Sequence, residues 1–113
     1  MGVSTFSGPI VSTAGFKAGA SSQALTYIAS GSVAVDPASI AALTSAETQV
    51  TITGAAVGDI VVMNIPASLE TGLIYSGVRV SAANTVQIRI SNMTAAGVDG
   101  ISRSWGYTII RIA

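Results

Sequence analysis

The chain contains neither cysteine nor histidine. Without cysteine, no disulfide supports the fold and no thiolate chemistry is available. Without histidine, the sequence lacks the commonest general acid–base, the commonest metal ligand and the usual pH switch. Charge is scarce too: 9% of residues are Asp, Glu, Lys or Arg, against roughly 25% in an ordinary soluble domain. Five basic residues cancel five acidic ones, leaving zero net charge. A free monomer of this kind lacks the repulsion that keeps small proteins apart. Either its surface is Ser, Thr, Asn and Gly, or much of it is covered by other chains. Low charge here accompanies 50% hydrophobic residues, and oligomer interfaces deplete charge, so covered surface is the expectation.

Long apolar runs are missing as well. The longest, such as Ile60-Val61-Val62-Met63, are strand-sized, whereas a spanning helix needs about 20 apolar residues. No membrane partner is expected. Met1-Gly2-Val3-Ser4 has no basic segment with an apolar run behind it, which leads to the expectation of a chain made in the cytoplasm. Nucleic acid is not an expected partner, because phosphate binding needs clustered cations. The four arginines and Lys17 are scattered and offset by acids.

What is present is strand pattern. At 113 residues the chain has one domain's worth of sequence, enough to bury roughly two-thirds of its unfolded surface. Residues 1–22 are rich in Gly, Ser, Thr and Ala, with Phe6, Ile10, Val11 and Phe16 at no helical period and Gly8-Pro9 as a breaker pair. This predicts an extended arm with one short strand near Pro9 to Ser12. A disordered tail is the other reading of such small residues, but the two phenylalanines argue for something to pack on. Residues 23–113 predict the folded domain. Ala24–Ile28 and Ser32–Val35 are short strand runs, the second stopped by Asp36-Pro37. Pro37–Ala46 is expected to cross the end of a sandwich with Ile40 and Leu43 pointing inward. Thr48–Thr53 alternates, with Val50 and Ile52 on one face. Gly54–Gly58 is expected to make a hairpin connection into Ile60–Ile65, a run apolar on both faces, as in a fully buried strand or one under a subunit contact.

Further on, Leu73–Tyr75 leads into Val78–Ser81, with valines in and Arg79 out, and Ala82-Ala83-Asn84 is a turn cluster. Thr85–Asn92 is the clearest strand, apolar at even positions from Val86 to Ile90 and polar at odd. Trp105, Tyr107 and Ile109 alternate near the C-terminus. Turn signals at short, regular spacing and β-branched enrichment predict an all-β fold, an antiparallel β-sandwich or jelly-roll-like single domain carrying the N-terminal arm.

Catalytic chemistry finds little to work with. Lys17, the one lysine, lies in the arm, so a serine or threonine nucleophile lacks an obvious base. Asp36, Glu47, Asp59, Glu70 and Asp99 are spread singly, in turns or flanking strands, rather than as a carboxylate pair. No two acids lie within ten residues of each other, unlike a calcium loop. The Gly54–Gly58 loop lacks the lysine and following helix of a phosphate loop. No catalytic, metal or cofactor-binding residue is assigned, and no small-molecule substrate is expected. Trp105 and Tyr107 suit a strand face in the core better than a sugar-stacking surface. Arg79, Arg89, Arg103 and Arg111 sit at polar strand positions, facing solvent or pairing with acids of another subunit.

Two segments are familiar together. Thr48-Gln49-Val50-Thr51-Ile52-Thr53-Gly54-Ala55-Ala56-Val57-Gly58-Asp59 is followed by Val78-Arg79-Val80-Ser81-Ala82-Ala83-Asn84-Thr85-Val86-Gln87-Ile88-Arg89. These resemble small β-rich virion proteins of tailed bacteriophages and related modules of phage fibres and head appendages. The opening Thr5-Phe6-Ser7-Gly8-Pro9 is similar to the start of capsid-decorating proteins. The resemblance implies a homotrimeric decoration, or cement, protein on the outside of the capsid shell, with the major capsid protein as partner. It carries over no catalytic residue. The interface residues expected on this reading are Phe6, Pro9, Ile10 and Phe16 of the arm, with Arg79 and Arg89 of the domain. Two alternatives remain at this point: a fibre, tail or adaptor component of the virion, and a carbohydrate-binding β-sandwich using Trp105 or Tyr75.

Overall fold

The structure is a computed structural model that describes residues 7–113; Phe6 lies outside the described residues. Six strands, and no helix among the described residues, make the domain: β1 (Leu25–Val35), β2 (Ser45–Thr51), β3 (Ile60–Asn64), β4 (Leu73–Ala82), β5 (Thr85–Asn92) and β6 (Arg103–Ile112). They form two antiparallel three-stranded sheets, ordered β1-β6-β3 and β2-β5-β4. The sheets pack as a sandwich in which β1 meets β2 and β3 meets β4.

The two central strands explain the core. In β5 the even positions Val86, Ile88 and Ile90 are fully buried, and in β6 Trp105 and Ile109 are too. Period-two alternation puts each set on one side of its sheet, and both join one cluster with Val35, Ile40, Val50, Ile52 and Leu73. Central position matters here, because a strand flanked on both sides loses solvent everywhere except its outer face.

Several expectations are corrected. Pro9–Ser12 forms no strand. Pro9 cannot donate to a ladder, Ser12 Oγ donates to the Gly15 carbonyl in a turn, and the segment's sheet contact is instead a single bridge between Phe16 and Leu25. The two runs Ala24–Ile28 and Ser32–Val35 are one strand, because Gly31 continues the pairing opposite Tyr107. Ile40 is buried as expected and bridges Val98. Leu43 is not buried: the turn closed by Thr44 N donating to the Ala41 carbonyl leaves it at φ 56° and 71% exposed.

The Gly54–Gly58 segment is not a hairpin. β2 pairs with β5 and β3 with β6, so this loop carries the chain from one sheet to the other. Asn84 anchors the crossing, its Oδ1 accepting from Gly54 N at 2.8 Å and its own N–H donating to the Ala55 carbonyl at 2.8 Å. Ile60–Ile65 is consequently an edge strand and its continuation. Val61 and Met63 turn toward the core while Ile60, Val62 and Ile65 stay exposed.

Candidate interaction face

The outer faces of the two sheets differ in chemistry. On the β2-β5-β4 sheet, Glu47 of β2 stands in register with Arg89 of β5, and Arg79 of β4 with Gln87 of β5. Arg79 Nη2 donates to both Glu47 carboxylate oxygens, at 3.1 and 2.9 Å, and to Gln87 Oε1 at 2.8 Å. Arg89 Nη2 donates to Glu47 Oε1 at 2.6 Å and its Nη1 to Ser45 Oγ at 3.0 Å. One glutamate thus ties three strands together across a solvated, polar face.

The β1-β6-β3 sheet shows the opposite. Its cross-strand register aligns Ile28, Ile110 and Ile60 in one row, Ser30, Thr108 and Val62 in the next, and Ser32, Gly106 and Asn64 in a third. None of these positions, nor Ala34, Ser104 or Ile112 beyond them, carries a charge. Ile28 is 60% exposed, Ile60 49% and Val62 57%. Ser30 and Thr108 satisfy each other through a 2.9 Å hydroxyl pair. The face therefore presents isoleucine and valine at one end and small neutral groups at the other.

The charges of β6 explain how this face stays neutral. Arg103 and Arg111 occupy odd positions, on the core side, at the two ends of the strand. Arg103 Nε donates to Glu70 Oε1 at 2.9 Å, and Glu70 Oε2 accepts from Ile101 N at 3.1 Å. Arg111 binds Asp59 through two nitrogens, at 2.7 and 2.8 Å, and lies over the Tyr27 ring at 4.6 Å. The hydrogen bond from Arg111 holds the Asp59 carboxyl below its ordinary value, against burial that acts the other way, and Arg103 does the same for Glu70. All four arginines are thus engaged with acids of the same chain.

The residues expected at an interface fall into two groups. Ile10 and Phe16 come together with Leu25 and Ile28, lining a groove at the start of β1, with Pro9 exposed nearby in sequence. Arg79 and Arg89 come together around Glu47 on the other sheet. The structure does not join the two groups. Sequence reasoning missed Ile28, Ile60, Val62 and Ile110 as a set. The signal was there in Ile60–Ile65, apolar on both faces, but linking it to Ile28 and Ile110 needs the strand order.

Trp105 is fully buried and Tyr75 packs against it edge-on, ring centroids 6.2 Å apart. Burial raises the Tyr75 hydroxyl pKa. Trp105 therefore offers no ring face on the surface for stacking on a sugar. Asp36 and Asp99 border a shallow recess with Pro37 and Gly100–Ser102. No group of three or more metal-ligating side chains occurs among the described residues. No model of a protein family matches the chain, and comparison with curated proteins and with solved structures finds no match either.

Proposed function

We propose that this chain is a non-catalytic structural subunit that trimerises and binds a capsid shell, as a decoration protein of a bacteriophage virion. The uncharged outer face of the β1-β6-β3 sheet is the observation that carries the reading. An exposed row of isoleucines on a small domain marks a surface meant for another protein. Burying that face desolvates no ion, whereas the arginines that could oppose burial are held by acids elsewhere. The sequence resemblance to decoration proteins supplies the identity of the larger partner; the neutral face serves contact between copies, and the arm serves contact with the shell or a neighbour.

Imaging and quantitative mass spectrometry of the phage particles that carry this chain test the proposal. The expected result is a large copy number spread over the outer shell, with particles lacking the chain less resistant to heat. Deleting residues 1–22 is expected to leave a folded trimer that no longer decorates shells. A handful of copies at one vertex or on the tail would replace this reading with that of an adaptor or fibre component. Absence from the particle would overturn it altogether.

A further inference from the structure

Sheet edges expose unpaired backbone donors and acceptors, and proteins defend them with charge, proline, bulges or shortness. The β2-β5-β4 sheet is defended on both sides. Edge strand β2 carries Glu47, and edge strand β4 carries Arg79 and two register irregularities. The other sheet is not. Edge strand β1 runs eleven residues without a charge or proline, with its single irregularity at the start of the register, between Leu25 and Tyr27. Edge strand β3 is short but equally uncharged. The Phe16 bridge occupies only Leu25, at the start of the β1 edge; among the described residues no other strand pairs along it. Two open edges therefore bound the one neutral face.

We infer that three copies join these sheets edge to edge, β1 of one against β3 of the next, closing a nine-stranded ring (three strands from each copy) lined by the neutral face. This rests on the trimeric reading above and names its contact. β1 and β3 both run antiparallel to β6, so a ring about an axis along the strands makes each new join parallel. Closure removes every edge of that sheet. Alternation along each strand then points Ile28, Ile110, Ile60 and Val62 into the interior, while the Glu47–Arg79–Arg89 faces look outward to solvent.

The occupant follows from charge. A partner of ordinary surface composition would bury ions against this face without counter-ions; a second copy of the same sheet brings none. An isologous β1–β1 pair would also hide one edge, but it leaves β3 open and the isoleucines wet.

Native mass spectrometry of the full chain, with amide hydrogen exchange, tests the ring. The expected mass is three times the 11.3 kDa chain, and Ile28→Lys and Ile60→Lys each reduce it to one chain. In the assembled protein the outward amides of β1 and those of β3 exchange slowly, speeding up on the order of 100-fold in the variants. Near-ultraviolet circular dichroism from buried Trp105 confirms folding; where an isoleucine variant unfolds, Ser30→Lys takes its place. A wild-type mass of one or two chains overturns the ring. So does a trimer that survives these substitutions, or one whose β1 and β3 amides exchange as fast as in the variants. A closed trimer that ignores shells supports this inference while sinking the virion reading; shell binding by a monomer does the reverse.

Discussion

Asp59 and Arg111 meet side by side, Oδ1 to Nε at 2.7 Å and Oδ2 to Nη2 at 2.8 Å, joining the loop that crosses between sheets to the end of the central strand β6. Asp59 has a side chain only 2% exposed and also accepts from Ala56 N at 2.9 Å. Such two-point contacts fix geometry as well as charge.

The pH dependence follows from that pair. Asp59 has its folded pKa lowered from 3.8 and Glu70 from 4.5, each chiefly by an arginine hydrogen bond. Groups depressed in the folded state contribute stability above their unfolded values and lose it as pH falls through the folded ones. The thermal midpoint is expected to hold steady through neutral pH and fall once the pH drops below about 4. Asp59→Asn should lower the neutral-pH midpoint by roughly 5 °C or more and flatten the acid limb. Glu47→Gln, on the solvated face, should change it little, because exposed pairs contribute weakly. Scanning calorimetry across pH, with an Asp59→Asn curve matching wild type, would contradict this account.

Among the described residues, Asn92 is the one buried polar residue. Its Nδ2 donates to the Ile40 and Ala96 carbonyls, both at 2.9 Å, and its Oδ1 accepts from Thr94 N and Oγ1 at 2.9 and 2.7 Å. This side chain closes the 93–98 loop against the Ile40–Val98 bridge. Asn92→Ala strands several buried groups at once and should cost about 3 kcal/mol, read from urea unfolding. Asn92→Asp should be worse at neutral pH, since a carboxylate can accept but not donate to the two carbonyls. Its deficit should shrink as acid protonates it.

Asn92 also marks how far the sequence can be read. The alternation Val86-Gln87-Ile88-Arg89-Ile90 is legible because a central strand between two neighbours has one wet face and one dry one. The same period places residue 92 on the dry face, yet what satisfies an asparagine there depends on Ile40, fifty-two residues away. The exposure of Leu43 is hidden because local hydrophobicity cannot reveal a left-handed turn residue. The path of the Gly54–Gly58 loop is hidden because adjacency in sequence suggests pairing, while β2 and β3 find partners in later strands. The candidate face is the least legible part. Ile28, Ile60 and Ile110 each look like ordinary strand residues until register aligns them.

Gly54 is needed for two reasons at once. Its φ is +96°, and a Cβ there would sit 2.5 Å from the Tyr27 hydroxyl oxygen. Its N–H and carbonyl are both engaged, with Asn84 Oδ1 and with Arg111 Nη2, each at 2.8 Å. Gly58 shares the same φ, but a Cβ added there would meet no atom within 4 Å, which separates the two effects. Gly58→Ala should cost about 1 kcal/mol, the backbone strain alone. Gly54→Ala should cost about 2 kcal/mol or more, because Tyr27 must also move off Arg111. Equal losses in denaturant titrations would show that Tyr27 yields freely.

Trp105 poses a balance of opposed terms. Its indole is fully buried in the core cluster, but Nε1 has no acceptor among the described residues. Trp105→Ala should cost about 3–5 kcal/mol through the cavity it leaves. Trp105→Phe loses part of that volume yet removes an unsatisfied donor whose burial is unfavourable by ~1–3 kcal/mol. The two effects are of similar size, so the phenylalanine variant should stay within about 1 kcal/mol of wild type while keeping the edge-on contact with Tyr75. A loss approaching that of alanine would mean the N–H has a partner, and that the indole is held by a bond as well as by packing.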